Sequence, residues 1–391
     1  MVEFKEALNI IKDEAYILGT EPLPLHDCAG RILAQDIISD IDMPPFNRSA
    51  MDGFACRRSD LNSPLEVIET VRAGDIPKKN IGPLQCVRIM TGGKVPQGAD
   101  CVIMVEQTLQ EGDNHIRFTG EKTAGNIAFR GEDLKVGDLA LGKGIMIKPQ
   151  HVAILASVGC AAPLVYRQPS VAVMTTGDEI VEPQVRPQGT CIRNSNGPQL
   201  VAQISRAGAL PRYMGIVKDT PGITDAAIKK ALGRSDVIVI TGGVSMGDYD
   251  FVPSVLKKNG FELFFEKVAV KPGRPTVFGR KDNVFVFGLP GNPVSTFMIF
   301  ELMVKPLLYS MMGYEYEPDV LRMTIGQEYS RKKADRLSWT PVSLNSLGEV
   351  IPGGYHGSAH IHSLADAWGL MSMEPGTYLY KRGEMVNVRQ I

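Results

Sequence analysis

The chain has 391 residues, 44% of them hydrophobic and 22% charged, with a formal net charge of −1. That length suggests about two to four domains, and the composition is that of an ordinary soluble globular protein. A near-zero net charge removes any overall electrostatic attraction to nucleic acid or an anionic membrane. Six cysteines are scattered without a CxxC pair, most of them inside apolar runs, and read as reduced packing residues. The N-terminal MVEFKEALNIIKDEA carries acids where a signal peptide would be basic and apolar. The longest apolar run, residues 294–312, contains Glu301, Lys305 and Pro306, which marks a buried helix rather than a membrane span. The expected setting is therefore cytoplasmic, with no nucleic-acid or membrane partner.

Phe4, Leu8, Ile11, Ala15 and Leu18 recur at helical spacing, so residues 2–18 are expected to form an amphipathic helix that stops at Gly19. Residues 20–42 read as a short helix or extended linker, followed by the polar loop MPPFNRSAMDGFA at 43–55. LEVIETV, LQCVRIM, CVIMVEQ and HIRF make residues 64–136 β-rich. An amphipathic helix beginning at Pro149 is expected to pack back on the N-terminal helix, which makes the β-rich unit an insertion. From Pro169 strands and helices alternate. One strand is SVAVMTT, another LPRYMGIV, and a helix capped by Thr224 ends at Gly233. Strand DVIVIT, a helix near Val252–Lys258, a strand over 262–270 and NVFVFG at 283–288 follow. Asn292-Pro293 then starts a long helix that ends near Gly313. This order predicts a multidomain α/β protein around a parallel, doubly wound sheet, closed by a small C-terminal β domain. The expected boundaries are 1–42 with 137–166, 43–136, 167–314 and 318–391.

Ligands of an open α/β sheet bind where loops leave the carboxyl ends of the strands. Four such loops are rich in glycine and polar groups: 175–179, 217–219, 241–250 and 288–293. In TGGVSMGDYD, glycines without side chains leave backbone N–H groups free to hold a phosphate, although a plain structural turn has the same composition. Glu179, Asp219, Asp248 and Asp250 would converge on that edge, where their mutual repulsion is relieved by Mg²⁺. Asp178 and Asp248 are equally readable as turn caps. Lys267 and Lys271 alternate with Ala269 and, with Arg274, read either as cations for an oxyanion or as a solvated strand face. His356, His360 and His362 fit no strong zinc pattern and are taken as loop residues.

Eight stretches, in order, resemble the molybdopterin molybdenumtransferase family (the MoeA and gephyrin E-domain family) over essentially the whole length. They are MPPFNRSAMDGFA, RIMTGGKVPQGAD, RGEDLKVGD, TTGDEIVEP, NSNGPQL, TGGVSMGDYD, VAVKPGRPTVFG and GLPGNPVSTF. The resemblance implies a homodimer of four-domain subunits that inserts molybdate into adenylylated molybdopterin with Mg²⁺, releasing AMP and giving molybdenum cofactor. It implies that Gly242, Gly243, Ser245 and Gly247 hold the pterin phosphate, with further substrate contacts from Asn194, Asn196, Pro290, Gly291 and Asn292. Asp219 and Asp250 would carry the magnesium, beside Glu179. Lys267 and Lys271 would serve substrate and oxyanion, with Arg274 and Ser358 also at the oxyanion. Asp52, Thr91 and Asp133 would reach the crevice from the partner subunit's β-rich domain, and an adenylyltransferase of the same pathway is a further expected partner. One departure stands out. Where the family has a run ending in an arginine, this chain reads DRLSWTP, so either Arg336 substitutes or the oxyanion pocket is tuned differently, with tungstate an alternative to molybdate. Adenylyl transfer to molybdopterin and a non-catalytic scaffold are the alternative functions.

Overall fold

The computed structural model describes residues 1–244, 251–353 and 360–391. Val237–Thr241, VIVIT, is β-branched at every position and buried at every position. β-Branched side chains favour the extended backbone, and a continuous apolar run suits a strand covered on both faces. It lies at the middle of a six-stranded sheet. The order is Leu210–Val217, Ser170–Thr176, Val237–Thr241, Val284–Leu289, Val277–Lys281 and Glu262–Phe265.

The first four strands are parallel, and the last two are antiparallel to their neighbours. The sheet is thus mixed rather than wholly parallel as expected. The difference arises from a hairpin, Val277–Lys281 with Val284–Leu289, whose two-residue turn is Asp282-Asn283. Asp282 sits at φ 50, the left-handed conformation that such a tight turn needs and that Asp tolerates.

Alternation along the strands divides the core in two. Val171, Val173, Val237 and Val239 face the helix Asn196–Arg206, the long helix from Pro293 and the N-terminal Phe4, Ala7 and Ile11. Ala172, Met174, Ile238 and Ile240 face Ile228, Val255 and Leu256 of the helices Pro221–Leu232 and Val252–Lys258. Phe278 lies 4.8 Å from Phe287 and 5.8 Å from Phe285 between ring centroids, an aromatic ladder across the hairpin.

The long helix runs Pro293–Ile299, then a π turn over Phe300–Val304, then Lys305–Met311. Pro306 can donate no hydrogen bond, and the wider turn before it accommodates the missing N–H. The segment is long and apolar enough to cross a membrane, but 78% of it is buried inside the protein. In the π turn Glu301 is 1% exposed and accepts from Arg206, Gln203 and Lys305 at 2.7, 2.8 and 3.0 Å. Arg389 of the C-terminal sheet donates to the Glu301 carbonyl and packs over Tyr316.

Three smaller pairings carry the chain between units: Thr20–Pro22 with Leu164–Tyr166, Ile37–Ile38 with Leu139–Leu141, and Arg48–Ser49 with Ile127–Ala128. The β-rich region forms a six-stranded sheet from Gly53–Cys56 to His115–Phe118, with free, buried Cys56, Cys86 and Cys101 on neighbouring strands. The C-terminal sheet is built on Leu337–Leu344 and captures the short strand Val270–Lys271.

Three further expectations are corrected. The N-terminal helix covers Phe4–Glu14 only, because Tyr16 Oη donates to Asn283 O and Leu18 N to Met311 O, which draws residues 16–18 out along the core. Thr224 lies inside the helix Pro221–Leu232, and Thr220 holds the cap position ahead of a proline at the first helical site. The strand expected over 262–270 is two strands in two different sheets, Glu262–Phe265 and Val270–Lys271.

Removing the carboxylate of Glu301 takes the shared acceptor from buried Gln203, half-buried Lys305 and exposed Arg206, and opens a gap in the packed helix. Glu301→Ala is expected to destabilise the protein by about 3–5 kcal/mol. A thermal unfolding scan that shows an unchanged midpoint would contradict that account.

Candidate active site

Thr176, Val217, Thr241 and Leu289 end the four parallel strands on one edge of the sheet. The loops beyond them surround a cleft of about 760 Å³. Of the residues the sequence suggested, Glu179, Asn194, Asn196, Asp219, Gly242, Gly243, Pro290, Gly291 and Asn292 line it together. Ser245, Gly247, Asp248, Asp250, His356 and Ser358 lie outside the described residues.

The walls of the cleft are held by side-chain amides. Asn196 Nδ2 donates to Thr241 Oγ1 at 3.0 Å and to Gly291 O at 2.7 Å. Thr241 Oγ1 in turn donates to Pro290 O at 2.9 Å, and Thr296 Oγ1 donates to the same carbonyl at 2.6 Å. Asn194 Nδ2 donates to Tyr213 Oη at 2.8 Å, while its Oδ1 accepts from Gly197 N at 2.9 Å. Burial pushes the Tyr213 phenol up, reinforced by its bond to the Glu182 carboxylate, so it stays a neutral donor. Both amide groups of Asn194 and Asn196 are thus committed to neighbouring loops, and these two residues position the cleft.

Gly242 has φ 94, and a Cβ there would stand 2.6 Å from Thr176 O and 2.7 Å from Thr176 Oγ1. Only glycine fits so close to the adjacent strand. Its N–H is spent on Leu289 O at 3.0 Å, so Gly242 brings the backbone near a ligand rather than donating to it. Thr176 is 4% exposed, and among the described residues its Oγ1 has no hydrogen-bond partner. A buried hydroxyl is normally satisfied, and this one lies covered behind Gly242 and Gly243 rather than open to the cleft. Nothing in TTGDE says which of the two threonines is spent, so this hydroxyl carries no sequence signal. Asp178 Oδ1 accepts from Asp219 N at 3.3 Å, which ties two strand-end loops together rather than capping the turn that follows Asp178.

A second cleft of about 540 Å³ shares Pro275, Pro290 and Asn292 with the first. Lys271, Arg274, Arg331, Lys332 and Arg336 line it, and among the described residues no carboxylate does. The first cleft, in contrast, carries Glu179 and Asp219. Lys267 is not among the described residues that line either cleft; it sits in the segment that pairs with the N-terminus, where Lys267 O accepts from Val2 N. Arg331 and Lys332 were not anticipated, since nothing in SRKKADR distinguishes them.

Asp52, Thr91 and Asp133 lie away from both clefts of their own chain. Asp52 Oδ1 accepts from Thr91 N at 2.6 Å and Thr91 Oγ1 at 2.7 Å. The backbone bond foremost, then the hydroxyl, holds the Asp52 carboxyl below its usual range. Asp133 lines a third cleft of about 820 Å³ with Asp42, Glu132 and Arg48.

Among the described residues no three His, Cys, Asp or Glu side chains gather to hold a metal. Mg²⁺ does not require such a cage, because it commonly takes one or two carboxylates together with substrate phosphates. The hard oxygens of Glu179 and Asp219 in one cleft fit that habit.

Two substitutions separate spent from unspent groups. Thr176→Val removes a hydroxyl with no partner among the described residues and is expected to leave the unfolding midpoint unchanged or slightly raised. Asn196→Ala takes a donor from both Thr241 Oγ1 and the Gly291 carbonyl, and is expected to cost about 1–3 kcal/mol. Equal destabilisation by both in thermal unfolding would contradict these assignments.

Sequence comparison matches residues 2–159 to "MoeA N-terminal region (domain I and II)", 172–310 to "Probable molybdopterin binding domain" and 327–391 to "MoeA C-terminal region (domain IV)". The chain is 34% identical over 397 residues to the molybdopterin molybdenumtransferase of Staphylococcus epidermidis, covering 99% of this chain and 95% of that protein. It is 35% identical over 401 residues to the Staphylococcus aureus protein of the same name, with the same coverage. The crystal structure of the molybdopterin biosynthesis MoeA protein from Pyrococcus horikoshii superposes with a TM-score of 0.84 at 32% identity, covering 100% of this chain and 99% of that one. A sheet edge of this construction, with relatives matched from end to end, means that the chain belongs to the molybdopterin molybdenumtransferase (MoeA) family.

Proposed function

We propose that this protein is a transferase that inserts molybdate into adenylylated molybdopterin, cleaving the phosphoanhydride to release AMP and yielding molybdenum cofactor. The observation that carries the reading is the pair of joined clefts with different charge. Glu179 and Asp219, with Arg193, mark one; among the described residues the charged groups of the other are all cations; and both share Pro275, Pro290 and Asn292.

In the first cleft the glycines at 242 and 243 let the backbone approach the phosphate. Glu179 and Asp219, with Asp250 outside the described residues, would hold Mg²⁺, which when bound polarises the phosphoanhydride toward water. In the second cleft Lys271 and Arg274 would bind molybdate by charge-assisted hydrogen bonds, beside Ser358 outside the described residues. Proximity then does much of the work, since the oxyanion is presented to the dithiolene of a substrate anchored next door. Lys267 would act only from outside both linings, on the side of the N-terminal segment. A tetrahedral divalent anion is what the second cleft suits, and tungstate shares that charge and shape.

We also divide the subunit at 1–42 with 137–166, 43–136, 167–314 and 318–391, as the separate sheets suggest. A homodimer is part of the reading. Asp52, Thr91 and Asp133 stand apart from their own clefts, and exposed Ile38 and Leu139 face each other in register on a surface strand pair. A second copy covering that pair would bring the three polar residues to a neighbour's site. The near-neutral charge and the burial of the one membrane-length helix are in keeping with a cytoplasmic enzyme supplied by an adenylyltransferase.

Asp219→Asn is expected to slow AMP release from adenylylated molybdopterin about a hundredfold, the scale of a lost charge-stabilising group. Lys271→Ala is expected to raise the molybdate concentration for half-maximal cofactor formation about tenfold. Undiminished AMP release from the Asp219 variant would sink the magnesium seat, and absence of molybdate-dependent product from the wild type would leave only a scaffold.

A further inference from the structure

We infer that Arg331 is the fixed cation of the second cleft and sets its affinity for a divalent tetrahedral oxyanion. The inference rests on the oxyanion reading of that cleft and adds to it a residue outside the run in which the family's arginine would be sought.

The cations that line the cleft are not equivalent. Lys271, Arg274 and Lys332 are exposed, on long stems that water can reach from several sides. Arg336 has a carboxylate neighbour, with its Nε 3.2 Å from Asp335 Oδ2. Arg331 differs from all four. Its Nε donates to Thr377 O at 2.7 Å, and its Nη1 donates to Arg336 O at 2.8 Å and to Ser338 Oγ at 2.7 Å. Its Nη2 donates to Glu374 O.

Every one of these acceptors is neutral. Among the described residues no carboxylate stands within ion-pair distance of Arg331. The guanidinium is therefore held in place on four bonds to neutral acceptors, with Asp335 acting on it only from beyond ion-pair distance. Burial lowers its pKa, but a guanidinium does not lose its proton at any pH a protein survives.

Strand register brings this group to the anion side. Lys271 lies directly opposite Ser338 in the pairing of Val270–Lys271 with Leu337–Leu344, and Ser338 is the hydroxyl that Arg331 holds. Ser338 is buried, lines the cleft and stands between the two cations. Like charges so arranged repel, and a bound dianion between them removes the repulsion. A preorganised donor also loses no side-chain freedom when the anion arrives, unlike the exposed lysines. The alternative is that Arg331 merely staples the 374–377 turn to the start of the strand.

Molybdate binding to the full-length protein decides between these roles. Intrinsic fluorescence is a natural readout, because Trp339 lines the cleft, and AMP serves as a probe of the first cleft. Arg331→Gln is expected to weaken molybdate binding about tenfold or more, on the scale of a charge-assisted hydrogen bond. It should also flatten the salt dependence of binding, with AMP affinity kept. Arg331→Lys keeps the charge but cannot span the four acceptors, so it is expected to weaken binding several-fold less than the glutamine change. A folded variant with lowered unfolding midpoint and wild-type molybdate affinity overturns the inference in favour of the staple. So does an equal loss of AMP and molybdate binding. If Arg331→Gln fails to fold, unchanged affinity in Arg331→Lys overturns it by itself. A wild-type protein that binds no molybdate overturns instead the oxyanion reading beneath.

Discussion

The side-chain amide of Asn196 is the joint on which the rest of the site depends. It bonds the last residue of the central strand, through Thr241 Oγ1, and the glycine loop after the neighbouring strand, through Gly291 O. Strands end where their ladder ends, and loops beyond them have no ladder to define their spacing. One amide with two donors supplies that spacing at 3.0 and 2.7 Å, from the first turn of the helix Asn196–Arg206. Around this joint the cleft can be open and still keep its shape. Asn194 repeats the device one step out, bonded to Tyr213 and to Gly197 N.

Polarity is then distributed by fold topology rather than by local sequence. Glu179 and Asp219 arrive from loops after adjacent parallel strands, so acids separated along the chain meet in one cleft. Cations meet in the other for a different reason. The strand Val270–Lys271 leaves the α/β sheet and pairs with Leu337–Leu344, and so places Lys271 among the arginines of the C-terminal sheet. Glu301, with Arg389 on its carbonyl, ties that C-terminal sheet to the long helix. A buried carboxylate is costly unless it is well paired, and here three donors supply that pairing.

Much of the central domain was legible because its signals are local. VIVIT could only be a buried strand, SVAVMTT follows the same logic, and LPRYMGIV is the half-exposed strand at the sheet edge. The hairpin at Asp282-Asn283 was missed because a glycine and two charged residues in VFGRK dilute the strand pattern. The strand expected over 262–270 failed for a subtler reason. Alternation says which side chains share a face only while one strand continues, and the backbone changes sheets between Phe265 and Val270. Thr224 failed as a cap because a proline upstream, at residue 221, had already begun the helix.

The amino-acid sequence by itself determined the α/β core, the four loops on one strand edge and the membership of a family, since each follows from runs of adjacent residues. Tertiary structure alone decided which of the polar groups are spent and which are free. Asn194 and Asn196 turned out to be committed to the scaffold, while the Thr176 hydroxyl has no partner among the described residues. Likewise nothing in RKK distinguishes its first residue, and only the turn at 374–377 and Ser338 reveal Arg331 as held in place. Hydrogen bonds have a reach of about 3 Å, and whether a partner lies within it depends on how distant segments pack.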